Sequence, residues 1–104
     1  RADDAGGAGL DDQGFAALLT RVRRLTAGTA RLGVLKDAIS DGKSFSCRQI
    51  VQMMGVPISS EQKIQIAVTM YARVVDPDNT SELFAALYHE SDRQQLRALL
   101  QRSP

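Results

Sequence analysis

Few side chains in this sequence are of the types that carry out nucleophilic or acid–base chemistry. Cys47 is the single cysteine and His89 the single histidine. A cysteine nucleophile with a histidine base needs a third group to orient the base and donors for the developing oxyanion, and no residues can be named for either role. A zinc site would need further Cys or His ligands beside these two. We therefore expect no enzymatic activity, no metal and no cofactor, with Cys47 partly buried at a helix start and His89 in a turn.

The segment DPDNTSE at 76–82 has acidic residues at the first, third and seventh positions of a calcium-binding loop. An EF-hand loop also requires Gly at position six and a bidentate Glu at position twelve. Those positions are Ser81 and Leu87, and Pro77 suits a turn better than a calcium loop. The segment therefore predicts a helix break followed by a new helix start with Asx-type capping.

Positive charge is concentrated in the middle of the chain. Residues 21–63 carry eight basic and three acidic groups, although the net charge of the whole chain is only +1. The basic residues that bracket the first predicted helical hairpin are Arg21, Arg23, Arg24, Arg31 and Lys36. They could bind an acidic protein, anionic lipid or nucleic acid, or they could form an ordinary solvated helix face. With only two Tyr, three Phe and no Trp, nucleic acid is the less favoured partner, because stacking residues are few.

A second candidate binding surface is apolar. Met53, Val56 and Ile58 surround Pro57 in the most apolar stretch outside the regular helical stripes, and Ile58 is predicted to be exposed. An adaptable surface of Met and Ile side chains at a turn could dock a protein partner. The alternative is ordinary packing within a turn, since single exposed apolar residues are common.

The elements that must position these residues are predicted to be helices. The chain is 43% hydrophobic and 24% charged, and its core residues are mostly aliphatic, which favours helices packed on helices. Apolar residues follow helical spacing in six segments with no strand pattern, and helix four is predicted to extend to Val74 and Val75. Gly42 is predicted to close helix two in the left-handed conformation. The predicted N-caps are Asp11 or Asp12, Thr29, Ser44 or Ser46, Ser59, Asn79 or Thr80, and Ser91.

Apolar positions recur at an interval of 32 residues. Leu32, Ile64 and Leu96 form one column. Four further columns share the interval: Leu19, Val51 and Leu83; Val22, Met54 and Ala86; Val34, Ile66 and Ala98; Leu35, Ala67 and Leu99. The interval predicts an all-α fold of three consecutive helical hairpins, which would bury their apolar faces by stacking on one another.

Several segments resemble the domain-of-unknown-function 4476 family over about residues 15–100. The segments that carry the resemblance are FAALLTRV, LKDAISDGKSFSCRQIVQMM, SSEQKIQIAVTMYARVVDPDNTSELFAAL and SDRQQLRALL. The individual features are a K-D-A-I segment at 36–39, Phe45 with Gln49, Lys63 with Ile64, Tyr71 followed by Val75, Asp76 and Pro77, and Asp92 and Arg93 with Leu96. The resemblance implies a short helical module appended to larger proteins, with no known activity and no catalytic residues.

The sequence thus predicts a flexible leader at 1–10 and one helical domain at 11–104, excised from a longer protein. The predicted function is a non-catalytic protein-interaction or scaffolding module, with a protein partner bound through Met53, Val56 and Ile58 or through the basic residues. The alternative is an anion-binding module that docks on acidic lipid or nucleic acid through the basic residues. A single cysteine and the absence of a visible signal peptide favour an intracellular, cytoplasmic location.

Overall fold

The computed structural model describes residues 10–102, and the helices in this part of the chain confirm the all-α class. A short 3-10 turn, Pro77–Asn79, precedes the fifth helix. The helices are α1 (Asp12–Arg23), α2 (Gly28–Ser40), α3 (Cys47–Met54), α4 (Ser60–Tyr71), α5 (Ser81–Ala85) and α6 (Glu90–Arg102). No described helix combines the length and the apolar character that a bilayer-spanning segment requires.

Three of the predicted helix starts are confirmed by capping hydrogen bonds. The Asp11 carboxylate accepts from the Gly14 N–H at 2.7 Å. Ser46 forms a reciprocal capping box with Gln49, in which each side chain accepts from the other residue's backbone N–H. The Ser59 hydroxyl accepts from the Gln62 N–H at 3.2 Å. Each bond satisfies a backbone donor that the first helical turn would otherwise leave unpaired.

Two other predicted caps are wrong, and a third is right in position alone. Thr29 lies inside α2, which begins at Gly28 after Ala27 and has no side-chain cap. Ser91 lies inside α6, because that helix begins one residue earlier at Glu90. Thr80 is the residue before α5, as predicted, but its side chain makes no capping bond to that helix.

The chain leaves the carboxyl ends of α2 and α4 in different ways. Gly42 follows α2 with a φ of 89°, the left-handed conformation predicted for it. Helix α4 ends at Tyr71, so the predicted extension to Val74 and Val75 is wrong. The backbone beyond α4 pairs instead with Phe45: the Phe45 N–H donates to the Arg73 carbonyl at 3.0 Å, and the Val75 N–H donates to the Phe45 carbonyl at 2.9 Å.

Helix α4 lies at the centre of the fold. Among the described helices, the most extensive contacts join α4 to α2, α3 and α6, and α3 to α5. Of the first repeat column, Ile64 and Leu96 are buried and Leu32 is half-buried. Helices α3 and α4 pack together, and the arrangement of the chain as three stacked hairpins stays a prediction. The side chains that are fully buried include Val22, Leu35, Phe45, Cys47, Ile50, Met53, Ile66, Met70 and Leu83.

The chain segment before α1 is attached to α3 through Leu10. The Leu10 N–H donates to the Ser44 carbonyl at 2.8 Å, and its carbonyl accepts from the Gln49 Nε2 at 2.6 Å. Gln49 is the only buried polar residue among the described positions, and all its buried polar atoms are paired. The predicted flexible leader otherwise falls on residues 1–9, which lie outside the described residues.

Candidate functional site

The basic residues of the first two helices are not equivalent in the structure. Arg21, Arg23 and Arg24 are exposed at the carboxyl end of α1, and no ion pair within the described residues neutralises them. Lys36 is exposed on α2. Cations are favourable at the carboxyl end of a helix because they offset its dipole, so this position by itself explains the three arginines.

Arg31 is engaged in internal contacts. Its Nε donates to the Leu25 carbonyl at 2.9 Å, and its Nη1 donates to the Gln62 Oε1 at 3.0 Å. The guanidinium therefore joins the turn before α2 to the first turn of α4. Because Gln62 is used in this way, its side chain does not return to the backbone of Ser59 to complete a capping box.

A basic side chain in the first turn of a helix binds a preceding carbonyl at two further places. The Lys63 Nζ donates to the Met54 carbonyl at 3.0 Å, and the Arg93 Nη1 donates to the Leu87 carbonyl at 2.7 Å. With Arg31, this places one cation on the Leu25 carbonyl after α1, one on the carbonyl of Met54 at the end of α3, and one on the Leu87 carbonyl after α5. Arg31 was predicted to belong to a basic cluster that a partner could contact, whereas its guanidinium binds groups of this chain.

The internal role of Arg31 predicts a measurable difference between two arginines. We expect Arg31→Ala to lower the free energy of unfolding by about 1–2 kcal/mol, because a partly buried carbonyl and amide lose their donor. Arg23→Ala, the exposed control, should change it by less than about 0.5 kcal/mol. Urea denaturation followed by circular dichroism measures both values. Equal effects of the two substitutions would contradict the internal role of Arg31.

Cys47 is fully buried at the first position of α3. Its Sγ lies 3.3 Å from the backbone carbonyl of Asp76, to which the thiol donates. Burial, followed by the negative charge of Asp76, raises the pKa of the Cys47 thiol from 9.0 to about 12. The thiolate is the nucleophilic form of cysteine, so this environment suppresses nucleophilic chemistry. His89 is exposed in the turn before α6.

The burial of Cys47 predicts a slow thiol. We expect the folded protein to react with a disulfide reagent at pH 8 roughly a hundredfold or more slowly than the same chain in concentrated urea, because little thiolate is present and the sulfur is covered. Absorbance of the released thiol measures both rates. Reaction of the folded chain at the speed of the unfolded chain would show that the sulfur is accessible.

Asp76 binds the amino end of α3. Its Oδ1 accepts from the Cys47 N–H at 2.7 Å, and its Oδ2 accepts from the Asn79 Nδ2 at 2.9 Å. Burial opposes ionisation of this carboxyl, but the hydrogen bonds from Asn79 and Cys47 outweigh it and lower the pKa of Asp76. The segment at 76–82 separates α4 from α5, as predicted, but its Asp76 side chain caps α3 and not the helix that follows. Within residues 10–102, no three His, Cys, Asp or Glu side chains are grouped closely enough to hold a metal.

The three apolar residues predicted to bind a partner differ in exposure. Met53 is fully buried in the core, Val56 is half-buried, and the side chain of Ile58 is 97% exposed. Ile58 borders a surface hollow of about 390 Å³, which the turn between α5 and α6 also lines. Tyr88, on that turn, is 94% exposed. We call this site the Ile58–Tyr88 hollow, and its remaining walls include Ser60, Lys63, Ala86 and His89.

Tyr88 was not identified from the sequence as part of a binding surface. One available signal was the repeat interval, since Tyr88 stands 32 residues after Val56, which was a candidate. Tyr71, the other tyrosine, is half-buried against the core. Ile58 and Tyr88 come together because α3–α4 and α5–α6 place their connecting turns at the same hollow.

A second depression lies between α1 and α2. It has a volume of about 260 Å³, with an apolar floor that includes Leu18 and Val34. Arg21 and Lys43 on its rim are matched by Asp37 and Asp41, so the rim has no predominant charge. This groove contains one residue of the predicted basic cluster and lacks the exposed aromatic side chain of the Ile58–Tyr88 hollow.

Comparison with known proteins identifies the family of this chain without supplying an activity. No curated protein and no solved structure matches the chain significantly. The sequence profile of a domain of unknown function, DUF4476, matches residues 10–100 and so covers nearly all the described residues. This range agrees with the resemblance seen in the sequence, and the chain belongs to the DUF4476 family.

Proposed function

We propose that this domain is a non-catalytic protein-interaction module, which binds a protein partner through the Ile58–Tyr88 hollow. The observation that carries the proposal is that two exposed apolar side chains, Ile58 and Tyr88, line one depression. They are the two large hydrophobic side chains that stand out as exposed among the described residues. Aromatic and aliphatic side chains grouped at a concave site supply most of the binding energy in protein interfaces.

The chemistry of the remaining candidates supports a binding role over catalysis. The one thiol is buried and has a raised pKa, and its Sγ donates to a backbone carbonyl. Asp76, which lies beside it, is engaged in capping α3. Binding through a preformed hollow requires only the apolar side chains and polar groups that surround it.

An affinity experiment tests this function. The full chain, immobilised beside its Ile58→Ser, Tyr88→Ser double variant, is exposed to a lysate of the source cells. We expect at least one protein to be retained by the unchanged chain and lost from the double variant, and to bind again when purified. Both substitutions are at exposed positions, so the variant should fold normally. Identical retention by both chains would refute binding through this hollow.

The alternative is an anion-binding module, for which the exposed arginines of α1 are the supporting observation. Arg21, Arg23 and Arg24 have no ion-pair partner within residues 10–102. In this case the chain should sediment with vesicles containing acidic lipid, and the binding should fall as salt increases. Reversal of charge by Arg23→Glu with Arg24→Glu should abolish it. Binding that survives both the salt and the charge reversal would exclude this alternative.

A further inference from the structure

Among the described residues, the wall of the Ile58–Tyr88 hollow contains basic side chains and no acidic one. Of the ionisable groups that line it, Lys63 is cationic and His89 offers an imidazole N–H, and no acidic side chain is part of its wall. The ammonium of Lys63 has three N–H donors, one of which binds the Met54 carbonyl at 3.0 Å, so two are left for a ligand. Two acidic residues adjoin the lining residues in sequence. Glu90 follows His89 and is paired with Arg93 at 3.1 Å, and Glu61 follows Ser60 and lines a different depression with Gln65.

Two helix ends add to this positive character. Ser60 is the first residue of α4, and His89 directly precedes α6. Because both residues line the hollow, the amino ends of a 12-residue and a 13-residue helix lie at its wall. The amino end of a helix carries partial positive charge and presents unpaired backbone N–H groups, which favours a carboxylate nearby.

The apolar and the positive features occupy the same depression. Ile58 and Tyr88 offer two large exposed side chains, and Ala86 adds a small apolar group to the wall. A ligand that satisfies all of these groups must carry a large apolar side chain next to negative charge. A basic segment would be repelled by Lys63, and an acidic segment without an apolar side chain would leave Ile58 and Tyr88 in water.

We infer that the partner segment bound in the Ile58–Tyr88 hollow is an acidic peptide, in which carboxylates flank a large apolar side chain. The apolar side chain packs between Ile58 and Tyr88, and the carboxylates accept from Lys63, from His89 and from the amino ends of α4 and α6. This inference rests on the proposed function, because it specifies the partner of the same surface.

Titration of the ¹⁵N-labelled full chain with three synthetic peptides tests the inference. The probe is acetyl-EDLFEDE-amide, and its matched controls are acetyl-KKLFKKK-amide, with reversed charge, and acetyl-EDSSEDE-amide, without the apolar side chains. We expect the probe to shift the amide resonances of Ile58, Ser60, Tyr88 and His89. Both controls should bind at least about tenfold more weakly, and so should the probe on the Ile58→Ser, Tyr88→Ser variant.

Any other result would overturn the inference. The proposed function could still be tested on its own. Equal binding of the basic peptide would refute the charge argument, and equal binding of the peptide without Leu and Phe would refute the apolar one. Shifts confined to Arg21, Arg23 and Arg24 would place acidic peptides on α1 instead. Concentration-dependent shifts at the hollow without peptide would show that a second copy occupies it. In all these cases the lysate experiment still decides whether the domain binds a protein through this surface.

Discussion

Replacing Phe45 by alanine is expected to lower the free energy of unfolding by about 3–5 kcal/mol. The Phe45 side chain is fully buried in the core, so its removal would leave a cavity lined by apolar side chains. Its backbone bonds to Arg73 and Val75 do not depend on the side chain, so the loss would come from packing. Urea denaturation followed by far-ultraviolet circular dichroism measures the change.

The structure offers an aromatic control for this substitution. Tyr88→Ala removes a ring that is 94% exposed and should change the free energy of unfolding by less than about 0.5 kcal/mol. If Phe45→Ala does not fold, Phe45→Leu retains most of the apolar volume and should cost about 1 kcal/mol. Similar costs for the alanine substitutions of the buried and the exposed ring would show that Phe45 is not part of the core.

Phe45 also illustrates which parts of the fold the sequence could predict. The starts of α1, α3 and α4 are set by Asp11, Ser46 and Ser59, whose side chains bond within three residues of themselves. Such local capping leaves a pattern that can be read directly. The end of α4 is set instead by the pairing of Val75 with Phe45, which is distant in sequence. The apolar residues Val74 and Val75 continue the helical pattern, and for that reason the extension was predicted.

The candidate surface was predictable to a smaller degree. Ile58 was predicted to be exposed, and the structure places it so. Tyrosine is amphipathic, so the exposure of Tyr88 depends on how the turn between α5 and α6 is positioned, which its own sequence does not specify. The contacts of Arg31 and Lys63 were also hidden, because their partners include backbone carbonyls, which every residue has. The spacing of charges in the sequence could not distinguish Arg31 and Lys63 from the exposed arginines of α1.

Asp76 offers the second large effect, because its carboxylate joins the segment after α4 to the start of α3. We expect Asp76→Ala to lower the free energy of unfolding by about 2 kcal/mol at pH 7, since the Cys47 N–H and Asn79 lose a charged acceptor. Asp76→Asn is the matched control. It keeps an oxygen for the Cys47 N–H and loses the charge, so it should cost about half as much.

The dependence of this effect on pH distinguishes stabilisation by the charge of Asp76 from stabilisation by a neutral side chain of the same shape. The pKa of Asp76 is lower in the folded chain, because its hydrogen bonds outweigh the opposing effect of burial. The stabilisation by its charge is therefore fully present above the unfolded pKa and is lost as the pH falls through the folded value. The gap in unfolding free energy between the unchanged chain and Asp76→Asn should accordingly close over the acid range, as the pH falls below the ordinary carboxyl pKa of 3.8. A gap that stays constant over this range would mean that the neutral side chain caps α3 as well as the carboxylate does.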